Sequence, residues 1–398
     1  MTYVWSAGPW RTGPEVSLDG ARGKKLTVRR GTGGGSSELG FELGGRDRAA
    51  AVINEGEWDA WLFHNGEPLW RARIGPSQES GSATKQSLQM TALDYRDLLA
   101  RRLLVGPTVQ WTNADPADAS WQVLTEEQSR PGSHLGIVRG TTRKGGVVAT
   151  TVKAEPGQPV RQTLDTLAGL DDGADWDLTP TYADGTPGFR YDWWAPTRDQ
   201  INGAVIVKLG HAAVSYTRAV EFGAYANSVR VTGQAPEGGG DAPAPLRLDA
   251  TDMTSRPEGR FDIAESTEQS TTAALQARAK ALLTERQVVP VTYSCVLRRG
   301  WWQGKRHLWV GDTVRWICRI EYEDDGGLYL FRDVDVVLPV EEMGLEFDRA
   351  PSADEVEQHR EYGLDLDPTA PKVTLTLGAP RIDAIRSIAR RLGNLERR

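Results

Sequence analysis

The chain has 398 residues, enough for two to four domains, and with 39% hydrophobic and 25% charged residues it has the balance of a globular protein. No stretch approaches the ~20 apolar residues of a membrane span, and Met1-Thr-Tyr-Val-Trp5 lacks the charged-then-apolar pattern of a secretory signal. A net charge of −7 argues against a nucleic-acid binder held by a phosphate footprint, and two cysteines cannot build a disulfide framework.

Residues 1–105 read as mostly β. Six strand candidates fall at 26–30, 38–43, 50–53, 58–63, 69–74 and 88–92. Asn65-Gly66 between Phe63 and Leu69 is a hairpin turn, because both residues tolerate positive φ. The glycine-rich run at 31–37 reads as a surface loop; it has neither the Lys-Ser/Thr of a phosphate loop nor dinucleotide spacing. The segment closes on a short helix over 93–102, with Leu98, Leu99 and Arg102 at turn spacing.

Residues 106–198 are mixed, with helices expected over 118–129 and 159–170, the second carrying Val160, Leu164 and Leu167 on one face. Trp176-Asp-Leu178 and Phe189-Arg-Tyr191 flank Asp184-Gly185 as a hairpin, and Trp193-Trp194 follows it. Aromatics this dense fit either a carbohydrate site or a hydrophobic core with a subunit contact.

Residues 199–348 hold strand, long helix, strand, strand. Val229 and Val231 alternate with Arg230 and Thr232 up to Gly233. A loop rich in Gly and Pro follows over 238–245. The helix is expected over 266–286, with Ser266 and Gln269 as a capping box and Leu275, Ala279, Leu282 and Leu283 as its apolar stripe. Val291, Tyr293, Cys295 and Leu297 alternate, as do Val314, Trp316 and Cys318 after the turn Gly311-Asp312. Both cysteines read as buried thiols, with a bridge between them as the alternative. Tyr329 to Phe331 and Val334 to Leu338 close the segment, and Trp301-Trp302 is expected at a hairpin tip, suited to a partner surface or a local core.

Residues 349–398 change character: an acidic linker with some helix over 353–362, a short strand at Val373, Leu375 and Leu377, and a terminal helix over 381–398. In that helix Ile385, Ile388, Leu392 and Leu395 are spaced three, four, three, an a/d seam of two heptads. Arg391 and Glu396 fall at g and the following e, where they bridge neighbours in a parallel coiled coil. Isoleucine at both a and d favours three or more strands. The competing reading is an amphipathic helix docked on its own subunit.

Three groups of residues carry a resemblance. Ala226-Asn-Ser-Val-Arg-Val-Thr-Gly233, then an Ala-rich helix, then Val310-Gly-Asp-Thr-Val-Arg315 resembles the central hub proteins of phage tails. Leu93-Asp-Tyr95 before Leu98-Leu-Ala-Arg-Arg102 extends the resemblance toward the N-terminus. It implies a mainly β protein with α+β parts, a multidomain hub. The layout would be a tail-tube-like β-barrel domain over 1–105, a mixed α+β domain over 106–198, a second barrel domain over 199–348 with the helix 266–286, and a linker, short strand and coiled-coil helix over 349–398.

It also implies a homotrimeric structural protein of the virion tail tip, made in the host cytoplasm, that ends the tail tube, rings the DNA channel and joins receptor-binding parts. Its partners would be distal tail and tube proteins, the tape measure protein and tail fibres. No cofactor and no tight nucleic-acid binding are expected. The competing readings are a carbohydrate-binding or carbohydrate-cleaving β protein and the hub of a phage-derived injection machine.

The residues offer no catalytic constellation. His64, His134, His211, His307 and His359 are scattered, none in metal spacing. There is no Gly-x-Ser-x-Gly elbow, and both cysteines lie mid-strand rather than at a helix N-terminus. Acidic pairs such as Asp171-Asp172 and Asp324-Asp325 sit in turn-like segments. The chain is therefore expected not to be an enzyme.

Overall fold

The computed structural model describes residues 2–30, 36–82, 86–106, 108–144, 152–170, 174–195, 205–220, 225–233, 247–251, 261–266, 272–287, 291–305, 307–323, 329–347, 356–357, 360 and 370–378. Two compact units emerge, one of residues 1–216 with 294–377, the other of 217–293 with 378–398. Ile385, Ile388, Arg391, Leu392, Leu395 and Glu396, the residues of the expected trimer seam, lie outside the described residues, as do most of 353–362 and of the loops at 31–37 and 238–245.

The first unit opens with β1 (Tyr3–Pro9), β2 (Val16–Ser17), β3 (Arg22–Arg29), β4 (Ser36–Gly44), helix α1 (Arg48–Val52), β5 (Trp58–His64), β6 (Glu67–Gly81), β7 (Gln86–Asp94) and helix α2 (Tyr95–Ala100). Five of the six expected strands are present. The exception is 50–53: Asp47 caps a helix there by accepting from the Ala49 amide at 2.9 Å, so Arg48-Ala-Ala-Ala-Val52 winds as α1. Asn65 and Gly66 take φ of 50° and 84°, the geometry a two-residue hairpin needs.

The middle of the chain supplies β8 (Val109–Trp111), α3 (Pro116–Ser129), β9 (Ile137–Arg143), β10 (Val152–Ala154), α4 (Val160–Leu170), β11 (Asp175–Ala183) and β12 (Thr186–Trp194). Helix α3 starts two residues before its expected range, with Pro116 at N1 and Asp115 as cap. β11 and β12 form the expected hairpin through Asp184 and Gly185, both at positive φ. β9 adds to β12 in parallel. α2, α3 and α4 close over this small sheet, and Trp176, Phe189, Tyr191 and Trp193 are buried in the shared core.

The remaining elements are β13 (Val205–Lys208), β14 (Ala213–Val220), β15 (Ser228–Thr232), β16 (Arg247–Thr251), β17 (Asp262–Ser266), α5 (Thr272–Arg286), β18 (Val291–Leu297), β19 (Thr313–Glu323), β20 (Tyr329–Glu346) and β21 (Lys372–Leu377). The largest sheet among the described residues has 13 strands and curls as a half-barrel. Its central join is β3 against β20, where Val28 faces Met343 and Leu26 faces Leu345. Strands from the first and third sequence segments therefore share one sheet, and β21 extends it beside β20. Alternation explains the burial: Val373, Leu375 and Leu377 point inward, as do Val314, Trp316 and Cys318 on β19.

Gly-Asp before β19 has a specific task. Gly311, at φ 91°, donates to Val340 O at 2.9 Å, and the buried Asp312 accepts from the Trp309 amide at 2.7 Å. The turn thus pins β19 to β20. Trp302 builds a local core, stacked on Trp309 and donating to Leu308 O at 2.8 Å. Cys295 and Cys318 are both buried thiols and are not joined by a disulfide.

The second unit is a three-stranded sheet, β16-β15-β17, under α5. The helix is described from Thr272, and Ser266 belongs to β17, so the capping box expected at Ser266 does not start it. The Leu275, Ala279 and Leu282 stripe packs on Val229 and Val231 of this separate small sheet. Asn227, fully buried, accepts from the Phe261 amide at 2.8 Å and so fixes the entry to β15 beside β17.

Candidate functional site

Two features of the first unit concentrate polar side chains: a buried ionic seam and an open cleft beside it.

The seam begins at Asp59 on β5. Its carboxylate accepts from Arg71 Nε at 2.7 Å, Arg73 Nε at 2.6 Å and the Tyr95 hydroxyl at 2.6 Å. Arg71 also donates to the Trp10 carbonyl at 2.6 Å, and its guanidinium lies over the rings of Trp61, Tyr95 and Phe189 at 4.5–5.0 Å. Burial, with Asp59 beside it, raises the Tyr95 hydroxyl far above the usual range, so it stays a neutral donor. The "Leu-Asp-Tyr" motif is explained here. Asp94 caps α2 through the Arg96 amide at 2.9 Å, and the next residue, Tyr95, reaches back to Asp59.

A second branch joins the β11–β12 hairpin to the large sheet. Asp94 accepts from Ser37 and from Arg96, and Ser37 accepts from Trp70 Nε1 at 2.7 Å. Arg96 continues to Asp177 on β11 at 3.4 Å, and Asp177 also takes Lys305 Nζ at 2.5 Å. Burial opposes charge on Arg96, but Asp94 and Asp177 outweigh it and hold the guanidinium protonated. Arg30 at the end of β3 pairs with Asp175 at 3.1 Å.

The cleft, of about 660 Å³, opens between the β5–β6 turn, the β11–β12 hairpin and the loop at Gln303 and Lys305. Tyr182 lies on its wall, held edge-on against Trp61 and Phe63. Asp192, fully buried, accepts from Arg190 Nε at 2.9 Å, Thr179 Oγ1 at 2.9 Å and the Thr141 amide at 2.8 Å.

Asp94 and Tyr95 belong to the Leu-Asp-Tyr motif quoted from the sequence, whereas Asp59, Arg71, Arg73, Asp177 and Asp192 were not singled out as site residues. Of the tryptophan pair, Trp193 is wholly in the core and only Trp194 reaches the cleft lining. Among the described residues no three His, Cys, Asp or Glu side chains are placed to hold a metal ion. Burial lowers the affinity of His64 and His307 for protons, and raises the Cys295 thiol to about 12.

No family model and no curated protein matches the chain. Solved structures do. The 43 kDa tail protein of prophage MuSo2 from Shewanella oneidensis is similar over 96% of this chain and 99% of its own, at a TM-score of 0.55 and 14% identity. The tail protein from Neisseria meningitidis MC58 is similar over 95% of this chain and 97% of its own, at 0.53 and 15%. The chain thus has, over nearly its whole length, the mainly β, multidomain fold of prophage tail proteins.

Proposed function

We propose that the chain is a structural component of a phage tail, a tail-tip or baseplate hub subunit. In this reading three copies form a ring that ends the tail tube, surrounds the DNA channel and connects to receptor-binding parts. The observation that supports it most is the likeness in fold to two tail proteins along the full length of each, rather than over one shared domain. The subunit would be made in the host cytoplasm and built into the virion, against tube and distal tail proteins, the tape measure protein and tail fibres.

The seam of Ile385, Ile388, Leu392 and Leu395, with Arg391 reaching Glu396 of a neighbour, would fix stoichiometry and register. Two heptads are too few to hold three subunits, so the β domains would supply most of the interface. At −7 per chain the ring would let DNA slide rather than hold it. The role requires no catalysis, and we infer that the chain is not an enzyme.

Native mass spectrometry of the purified chain and of disassembled tails tests the assembly. A trimer that weakens on deletion of 379–398, with both units still folded, is the expected outcome. A chain that leaves intact tails only as a monomer would contradict it.

A further inference from the structure

We propose that the cleft between the β5–β6 turn and the β11–β12 hairpin is a saccharide subsite that takes a neutral di- or trisaccharide. It stands apart from the tail-hub reading, and either can fail without the other.

The first ground is size and shape. A cleft of about 660 Å³ falls within the ~300–1,000 Å³ of small-ligand sites. Its parts come from three separate segments of one unit, so the cleft is a product of the tertiary fold rather than a furrow along one hairpin.

The second ground is an aromatic platform. Tyr182 is 37% exposed although two aromatic neighbours hold it. Trp61 and Phe63 meet it edge-on, with centroids 5.7 and 6.4 Å away and interplanar angles of 67° and 78°. A phenol fixed by its neighbours and still partly open to solvent offers apolar ring surface at little entropic cost. The C–H face of a pyranose is the ligand surface that matches it. Trp194 adds a second ring to the lining.

The third ground is polar chemistry without uncompensated positive charge, to which Glu67 adds an exposed carboxylate. Arg190 pairs with Asp192 through Nε, which leaves its η nitrogens for a ligand. Lys305 is compensated by Asp177 and also donates to Thr179 Oγ1 at 3.2 Å. Both cations of the lining are therefore neutralised in place, and the pair with Asp192 fixes the direction of the Arg190 η nitrogens. An anionic ligand would look for uncompensated positive charge. An apolar ligand would leave these donors without partners. A neutral polyol satisfies them hydroxyl by hydroxyl.

The test is saturation-transfer difference NMR on the full chain with maltotriose, chitotriose and mannotriose, and with sialyllactose as an anionic comparator. The expected result is saturable transfer to the pyranose C–H protons of at least one neutral trisaccharide. Tyr182→Ala should weaken it by about tenfold or more. Ala183→Trp, at an exposed lining position, should abolish it by filling the cleft while the melting temperature stays at the wild-type value. Should Tyr182→Ala disturb the fold, Ala183→Trp carries the comparison alone. Absence of saturable transfer from all three neutral sugars, transfer from sialyllactose only, or binding unchanged in Ala183→Trp would each overturn the proposal.

Discussion

Arg71 and Asp59 form an ion pair in which the two side chains are 1% and 0% exposed, with Nε 2.7 Å from the carboxylate. The pair is not isolated: Arg73, Tyr95 and three aromatic faces complete its surroundings. Removing one partner of such a pair leaves the other charge buried. Asp59→Ala should therefore cost about 3–5 kcal/mol in denaturant unfolding, because Arg71 and Arg73 would both lose their counter-ion. The exposed pair Arg319–Asp333 offers the control, and Asp333→Ala should leave the melt unmoved. Equal effects at the two sites would contradict the buried seam.

Cys295 gives a pH prediction with a definite sign. Burial raises its thiol from 9.0 to about 12. The unfolded chain ionises it near pH 9 while the folded chain keeps the proton, so this group's contribution to stability is full below pH 9 and is lost as pH rises toward 12. Cys295→Ala should lower stability at neutral pH yet show a flatter decline between pH 9 and 12. In the native protein at pH 8, thiol reagents should label neither Cys295 nor Cys318, and both should react on unfolding. Rapid native labelling would place them at the surface.

In the second unit Leu282 is 2% exposed and packs with Val229 and Val231. Leu282→Asp puts an unpaired carboxylate into that core and should cost several kcal/mol. Because the core belongs to one unit, hydrogen exchange should accelerate in β15 and α5 and stay protected in β3, β4 and β20. Uniform deprotection would mean that the two units unfold together.

Gly304 combines strain with a close approach. Its φ is 95°, and a Cβ there would meet His64 Nδ1 at 2.8 Å. Gly304→Ala should cost about 1–3 kcal/mol and shift the His64 ring resonances in NMR spectra. A variant with unaltered stability and spectra would show that the loop adapts freely.

Period-2 alternation and two-residue turns made five of the six early strands, the β11–β12 hairpin and β18 to β21 legible in the sequence. Three kinds of feature were not. Helix α1 was hidden because the β-branched pair Val52-Ile53 favours a strand, against the helix-favouring Ala49-Ala-Ala51 and its cap Asp47. The strand β17 was hidden because Asp262-Ile-Ala-Glu-Ser266 pairs in parallel with β15, with β16 between them in sequence, so no hairpin turn announces it. The candidate site was hidden for a third reason. Asp59, Arg71, Asp177 and Asp192 are ordinary charged residues on strands, Tyr95 opens α2 and Lys305 lies in a loop, and only the β5–β6 pairing and the seating of the β11–β12 hairpin bring them together. The tryptophan pairs were visible, but which ring is core and which is wall depends on the face each strand turns inward.

Cryo-electron microscopy of the intact particle, with an antibody fragment against the second unit as a marker, tests the tail-hub reading most directly. The account predicts three markers about one axis at the distal end of the tail tube. Particles that carry no marker anywhere along the tail, from a lysate in which the chain is abundant, would contradict it.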